Sequence, residues 1–242
     1  MQEEPRYLPA GEAALVIEFG AAIDPKIHDR VLALDAAIRA AHLDGVCETV
    51  PTYRSLMIHF DPRKFTHEAL IDALASLRYE EAPPARRKRR WQIPACYDPV
   101  HAEDLAEAAA LLGISQERIV CLHLSATYRV YMYGFAPGYV FLGGLAPELT
   151  LPRRAQPRPA ALAGALLIAG GQALIAGCAM PTGWYMIGRT PAKMFDPARN
   201  PLFLMNIGDE VCFERIGSRA FDALQSKAEL GEVPASAVLD EA

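Results

Sequence analysis

Residues 133–158 collect the residue types from which a binding site is built. The stretch runs Tyr133-Gly-Phe-Ala-Pro-Gly-Tyr-Val-Phe-Leu-Gly-Gly-Leu145, followed by Leu151-Pro-Arg-Arg-Ala-Gln-Pro-Arg158. Glycine permits close backbone approach and proline fixes a loop. Aromatic rings supply apolar walls, and the planar guanidinium forks onto carboxylate or phosphate. A loop of that composition reads as a surface for a small anionic or planar group, shaped by Gly134, Phe135, Pro137, Gly138 and Tyr139. Arg153 and Arg158 each follow a proline; they either recognise an anion or pair with local carboxylates or a partner chain. Arg154 reads as solvent-facing. Arg189, in Ile187-Gly-Arg-Thr-Pro191, follows a strand and is expected at the same cleft. Gln172 carries both a donor and an acceptor for an amide group, or else faces solvent. His123, in the alternating stretch Val120–Leu124, reads as a strand residue: a general acid or base, or a satisfied group of a barrel wall. Trp184 is expected to pack beneath the glycine loop, and Asp209 beside Gly208 reads as a turn residue.

Several chemistries have no sequence support. There is no Gly-x-x-x-x-Gly-Lys-Ser/Thr loop, no Gly-x-Ser-x-Gly elbow and no His-Glu-x-x-His pair. Cys47, Cys96, Cys121, Cys178 and Cys212 are far apart, odd in number and form no Cys-x-x-Cys pair. They read as free thiols in a reducing compartment rather than zinc ligands, and no metal is expected. A nucleophilic Cys178 needs a base from elsewhere, because no histidine follows His123. No complete catalytic set is visible.

The 242 residues are 52% hydrophobic and 22% charged, enough for a real core in two modest domains, and a net charge of −5 argues against a general nucleic-acid binder. No apolar run approaches the roughly 20 residues of a membrane helix. The N-terminus lacks a basic start and an apolar stretch, so a cytoplasmic protein is expected.

The elements that must position these residues follow from periodicity. Residues 1–82 read as a small α+β domain. Its strand lies at Glu12–Phe19, and Asp24 and Pro25 open an amphipathic helix over 25–42. Strands follow at Val46–Tyr53 and Ser55–Phe60, and Thr66 caps a helix to about Leu77. The order strand, helix, strand, strand, helix fits a ferredoxin-like split arrangement. Residues 83–90 form a basic linker, a polyanion contact or a solvated connector. Residues 91–225 carry a strand at Ile93–Asp98, a helix ending at Gly113 and a helical turn at Ser115–Val120. Strands follow at Tyr128–Tyr133, at Ala165–Ala169 and Gln172–Ile175 around Gly170-Gly171, at Trp184–Ile187, at Leu202–Asn206 and at Glu210–Arg215. Many short strands with few helices point to a closed barrel. Residues 226–242 read as a weakly patterned tail.

Glu12–Phe19, Val50-Pro-Thr-Tyr-Arg-Ser-Leu56, Ile93–Asp98, Asp104-Leu105, His123, Gly134–Tyr139, Pro152-Arg153, Pro157-Arg158, Gly183-Trp184, Ile187–Pro191 and Gly208-Asp209 occur in the order found in one family. The sequence resembles the B subunit of bacterial ATP-dependent 5-oxoprolinase. The same family includes allophanate hydrolase subunit 1, a Kip-type inhibitor of a sporulation histidine kinase and part of the carboxyltransferase domain of urea carboxylase. The resemblance implies a cyclophilin-like β-barrel. It implies two partners, a homologous C subunit together with an A subunit, which complete an ATP-dependent opening of 5-oxoproline to glutamate. Its other members imply inhibition of a sensor histidine kinase, or a carboxyltransferase-like step on a urea-type substrate. The chain departs from the family at Pro181-Thr-Gly-Trp184, at Ala176–Met180 and at Ala161–Gly164.

Overall fold

A computed structural model describes residues 4–77 and 89–239. The chain divides into two compact units, Met1–Arg86 and Arg87–Ala242. Residues 83–88 of the basic linker lie outside the described residues.

The first unit comprises β1 (Arg6–Pro9), β2 (Ala14–Glu18), α1 (Pro25–Ala41), β3 (Val46–Pro51), β4 (Ser55–Phe60) and α2 (His67–Ala75). The antiparallel sheet runs β1-β2-β4-β3. Asp24 caps α1 by accepting the amides of Lys26 at 2.7 Å and Ile27 at 3.3 Å, with Pro25 in the first turn. Val31, Leu34 and Ile38 of α1 pack on Leu15, Ile17, Leu56 and Ile58 of the sheet. Thr66 caps α2 through the Ala69 amide. Strand β1, which no pattern predicts, is a short exposed edge ending in Pro9.

The second unit comprises β5 (Arg89–Cys96), α3 (Leu105–Leu112), α4 (Gln116–Ser125), β6 (Tyr128–Tyr133), β7 (Val140–Gly143), β8 (Arg158–Ala161), β9 (Ala165–Ala169) and β10 (Gln172–Ile175). β11 (Met180–Thr182), β12 (Tyr185–Arg189), β13 (Glu210–Ile216), α5 (Ser218–Glu229) and β14 (Ser236–Leu239) complete it. Strands β12, β9, β10, β7, β6, β13 and β5 form a ring closed by the pair Arg189↔Cys96, with β14 added beside β5. Among the described strands only β5 and β13 run parallel. Alternation along β9 and β10 divides their side chains. Leu166, Ile168, Ala173 and Ile175 join the main core with α3 and α4, and Leu167, Leu174 and Ala169 join a second cluster with Tyr139 and Trp184.

Four expectations are corrected. Val120–Leu124 is not a strand: Ser115 caps α4 through the Arg118 amide, and Ile119, Val120, Leu122 and His123 form its buried face at helical spacing. Leu202–Asn206 forms no strand, only an isolated bridge between Phe195 and Phe203. There the Arg199 side chain binds the carbonyls of Lys193, Met194, Pro201 and Leu202 and holds the segment as a loop. Arg89 and Arg90 are not connector: they open β5, and Arg90 pairs with Glu210 at 2.8 Å. Residues 226–239 are not a tail: residues 226–229 complete α5 and Ser236–Leu239 form β14.

Candidate functional site

The glycine loop joins β6 to β7, and its glycines serve internal packing. A Cβ on Gly138, whose φ is +73°, would lie 2.6 Å from the Phe195 Cβ, and one on Gly177 would overlap the backbone at Pro137 and Gly138. One on Gly134 would strike the Met132 methyl. The close approach is of protein to protein. Tyr139, 2% exposed, donates its hydroxyl to the Cys178 carbonyl at 3.1 Å and fixes the following segment. Phe135 does the opposite: 74% exposed, it adopts a left-handed φ of +70°, with its ring edge on Tyr139 at 5.5 Å. A non-glycine residue in that region is strained, so the loop holds an aromatic out to solvent at a conformational cost.

Strand register shows which candidates meet. Val140↔Ile175, Ile175↔Leu166 and Leu166↔Gly188 form one row across β7, β10, β9 and β12. The glycine loop and Arg189 therefore share one end of the sheet, three strand spacings or about 14 Å apart. Gln172↔Ala169 and Ile168↔Tyr185 place Gln172 and Trp184 at the other end. There Trp184, 6% exposed, meets Phe141 at 6.0 Å and carries the Arg153 guanidinium 5.7 Å from its ring. Trp184 and Arg189 lie five residues apart along the chain, roughly 17 Å of strand. Arg189 and Trp184 therefore do not meet, whereas Trp184 and the loop residues Ala136 and Tyr139 belong to one hydrophobic cluster.

Arg158 and Arg154 meet a carboxylate cluster. Arg158 is clamped between Glu103 and Asp104, with its Nη1 2.7 Å from Asp104 and both side chains 10% exposed. Arg154 pairs with Glu107 at 2.6 Å and Asp104 at 3.3 Å, and lies over Tyr185 at 5.1 Å. It is 21% exposed, which corrects the solvent-facing reading. Asp104 also accepts the Met186 amide at 2.8 Å, so one carboxylate ties α3, β8 and β12 together. The residues that sequence reasoning left without a role are these acids. Asp104 entered only through the resemblance, and nothing in its surroundings marks a partner 54 positions away.

His123 is 1% exposed on α4. Its Nδ1 lies 2.7 Å from the Tyr97 hydroxyl, and its ring stacks on Phe213 at 4.6 Å. Burial pushes its pKa down to about 3, so the imidazole is neutral, and burial pushes the Tyr97 phenol well above its ordinary value. With no solvent contact it is placed to hold the barrel rather than to move a proton. Asp209, 3% exposed, exceeds its turn role: it accepts the Trp91 indole N–H and the Asn206 amide, each at 2.9 Å. Among the described residues no group of three or more His, Cys, Asp or Glu could hold a metal ion, and no helix is long and apolar enough to cross a membrane.

These features define a mixed α/β protein with a closed seven-stranded barrel, consistent with the cyclophilin-like expectation. The carboxyltransferase domain, subdomain C and D, matches residues 5–205, and the chain belongs to that family. The B subunit of 5-oxoprolinase from Bacillus subtilis (strain 168) is 32% identical over 232 residues, spanning 90% of this chain and 95% of that protein. The crystal structure of TTHA0988 superposes with a TM-score of 0.75 at 36% identity; it covers 84% of this chain, which spans 40% of that one. The Kluyveromyces lactis urea carboxylase superposes with a TM-score of 0.77 over 97% of this chain and 24% of its own. At 17% identity that likeness concerns the fold alone.

Proposed function

We propose that this chain is the B subunit of an ATP-dependent 5-oxoprolinase, which acts with a homologous C subunit together with an A subunit to open 5-oxoproline to glutamate. The observation that carries it is the match to the Bacillus subtilis protein along nearly the whole of both chains. The site geometry supports a non-autonomous role. Arg189 and Trp184 stand apart along β12, His123 is sealed, and Arg154 and Arg158 are held by carboxylates, so a catalytic set needs a second polypeptide. The glycine loop offers ATP no phosphate cradle, because it closes on Phe195 and Gly177. We assign ATP use to the assembled complex. The five unbridged cysteines suit a cytoplasmic setting. The N-terminal sheet is read as ferredoxin-like, with β1 taking the place of the last strand.

Purified alone, the chain should release no glutamate from 5-oxoproline; mixed with its A and C partners it should do so with ATP consumption. Turnover by the single chain would refute this reading. Membership of the carboxyltransferase-domain family supports a second one, a carboxyltransferase-like component for a urea-type substrate. Transfer of carboxylate from a biotinylated partner to urea, without 5-oxoproline turnover, would select it.

Phe135 is read as a partner contact. Phe135→Gly relieves about 1–2 kcal/mol of left-handed strain and loses about 0.5–1 kcal/mol in chain entropy, so stability should stay within about 1 kcal/mol of the parent. Affinity for the partner protein should fall at least tenfold (about 1.4 kcal/mol), read by chemical denaturation and by co-purification. Undiminished assembly would remove Phe135 from the interface.

A further inference from the structure

The arginines near the barrel differ in what surrounds them. Arg158 and Arg154 face carboxylates. Arg189 faces none: among the described residues its only hydrogen bond runs from Nε to the Ala163 carbonyl at 2.9 Å, and its guanidinium lies 5.2 Å from the Phe221 ring. The side chain is half-buried, and burial pushes its pKa down with no acidic group opposing the shift. Taking an ion out of water without a counter-ion is unfavourable. The outer N–H donors of Arg189 have no protein partner among the described residues and are open to solvent, so they are free to grip an anion.

Two further features share the spot. His101 stacks on the same fully buried Phe221, ring centroids 4.0 Å apart. It is 7% exposed and its Nδ1 has no hydrogen-bond partner. Burial and the Arg189 charge push its pKa down, while Asp222 and Asp98 oppose them. Phe221 also belongs to the first turn of α5, whose cap, Gly217, offers no side chain and whose first turn carries no acid. Asp98 accepts the Ser218 amide at 2.8 Å and its hydroxyl at 2.6 Å. The amides of Arg219 and Ala220 come next and have no intrahelical acceptor. Neither Asp98 nor Asp222 forms an ion pair with Arg189.

We propose that Arg189, with His101 and the first turn of α5, forms a subsite for a small oxyanion, a carboxylate or a phosphate. It lies at the sheet end that carries the glycine loop. Within the 5-oxoprolinase reading, on which this assignment rests, its occupant is the substrate carboxylate; oxyanion binding itself needs no such reading.

The test titrates the full chain separately with 5-oxoproline and with inorganic phosphate by calorimetry. Saturable binding of 5-oxoproline identifies a carboxylate site, and binding of phosphate alone a phosphate site. Arg189→Gln should bind the preferred ligand at least tenfold more weakly, and Arg39→Gln, on α1 of the other unit, should bind as the parent does. Arg189→Lys keeps the charge but loses the fork. It should also bind more weakly, and it decides the matter if the glutamine variant fails to fold. In the reconstituted enzyme Arg189→Gln should raise KM for 5-oxoproline more than it lowers kcat. No saturable binding of either probe by the parent chain, or equal affinity in a folded Arg189 variant, overturns the subsite. Binding is read without partners, so a failed reconstitution overturns the functional reading and leaves this measurement standing.

Discussion

Asp104→Ala should lower the unfolding free energy by about 3–5 kcal/mol, the range for removing one partner of a buried ion pair. Asp104 holds Arg158 at 2.7 Å and Arg154 at 3.3 Å and accepts the Met186 amide. Without it, Arg158, whose side chain is 10% exposed, keeps only Glu103, which is 51% exposed and correspondingly weak. Asp104→Asn preserves the acceptor for the Met186 amide but not the charge, and should fall between the parent and the alanine variant. Urea unfolding at pH 7 reads both. A loss under 1 kcal/mol for alanine would mean that the cluster is solvated in solution.

The second large effect is in acid. His123 has a folded pKa of about 3, against about 6.5 in an unfolded chain. A depressed folded pKa means that the unfolded state binds the proton first as pH falls. Stability should then be unaffected by this group above pH 6.5 and should decline by about 1.4 kcal/mol per unit below it. The accumulated loss is about 4 kcal/mol at pH 3. His123→Phe removes the titrating group but orphans the buried Tyr97 hydroxyl, at about 1–3 kcal/mol. The variant should be less stable than the parent at pH 7 and more stable at pH 3, so the two stability curves cross. Curves that stay parallel from pH 7 to pH 3 would show that His123 does not titrate in this way.

Legibility follows the range of the signals. Helix α1 is readable because Asp24 and Pro25 act on their own neighbours, and the β9–β10 hairpin because Gly170 and Gly171 fix a turn with local backbone preferences. His123 reads as a strand residue although Ser115 and Glu117 signal a helix start; Val120, Cys121, Leu122 and His123 also alternate, and a five-residue window holds little more than one helical turn. β8 and β11 escape notice because Pro157, Pro159 and Pro181 read as loop, although proline is tolerated on so short an edge pair. The site residues are legible as types but not as partners. Nothing local joins Arg158 to Asp104, and the reach of β12 decides that Arg189 and Trp184 stand apart. The glycines of the loop read as room for a ligand, whereas Phe195 and Gly177 fill it.

The parallel pairing of β5 with β13 joins residues 120 positions apart. A ribosome adding about 5–20 residues per second needs roughly 6–24 s to cover that interval. All four strands of the N-terminal sheet lie within residues 6–60, so it has its full complement early. Trp91, Ile93 and Ala95, buried once the ring is closed, emerge well before the strand that covers them. The nascent barrel is therefore a natural client for a chaperone that shields apolar segments, until translation has passed residue 216.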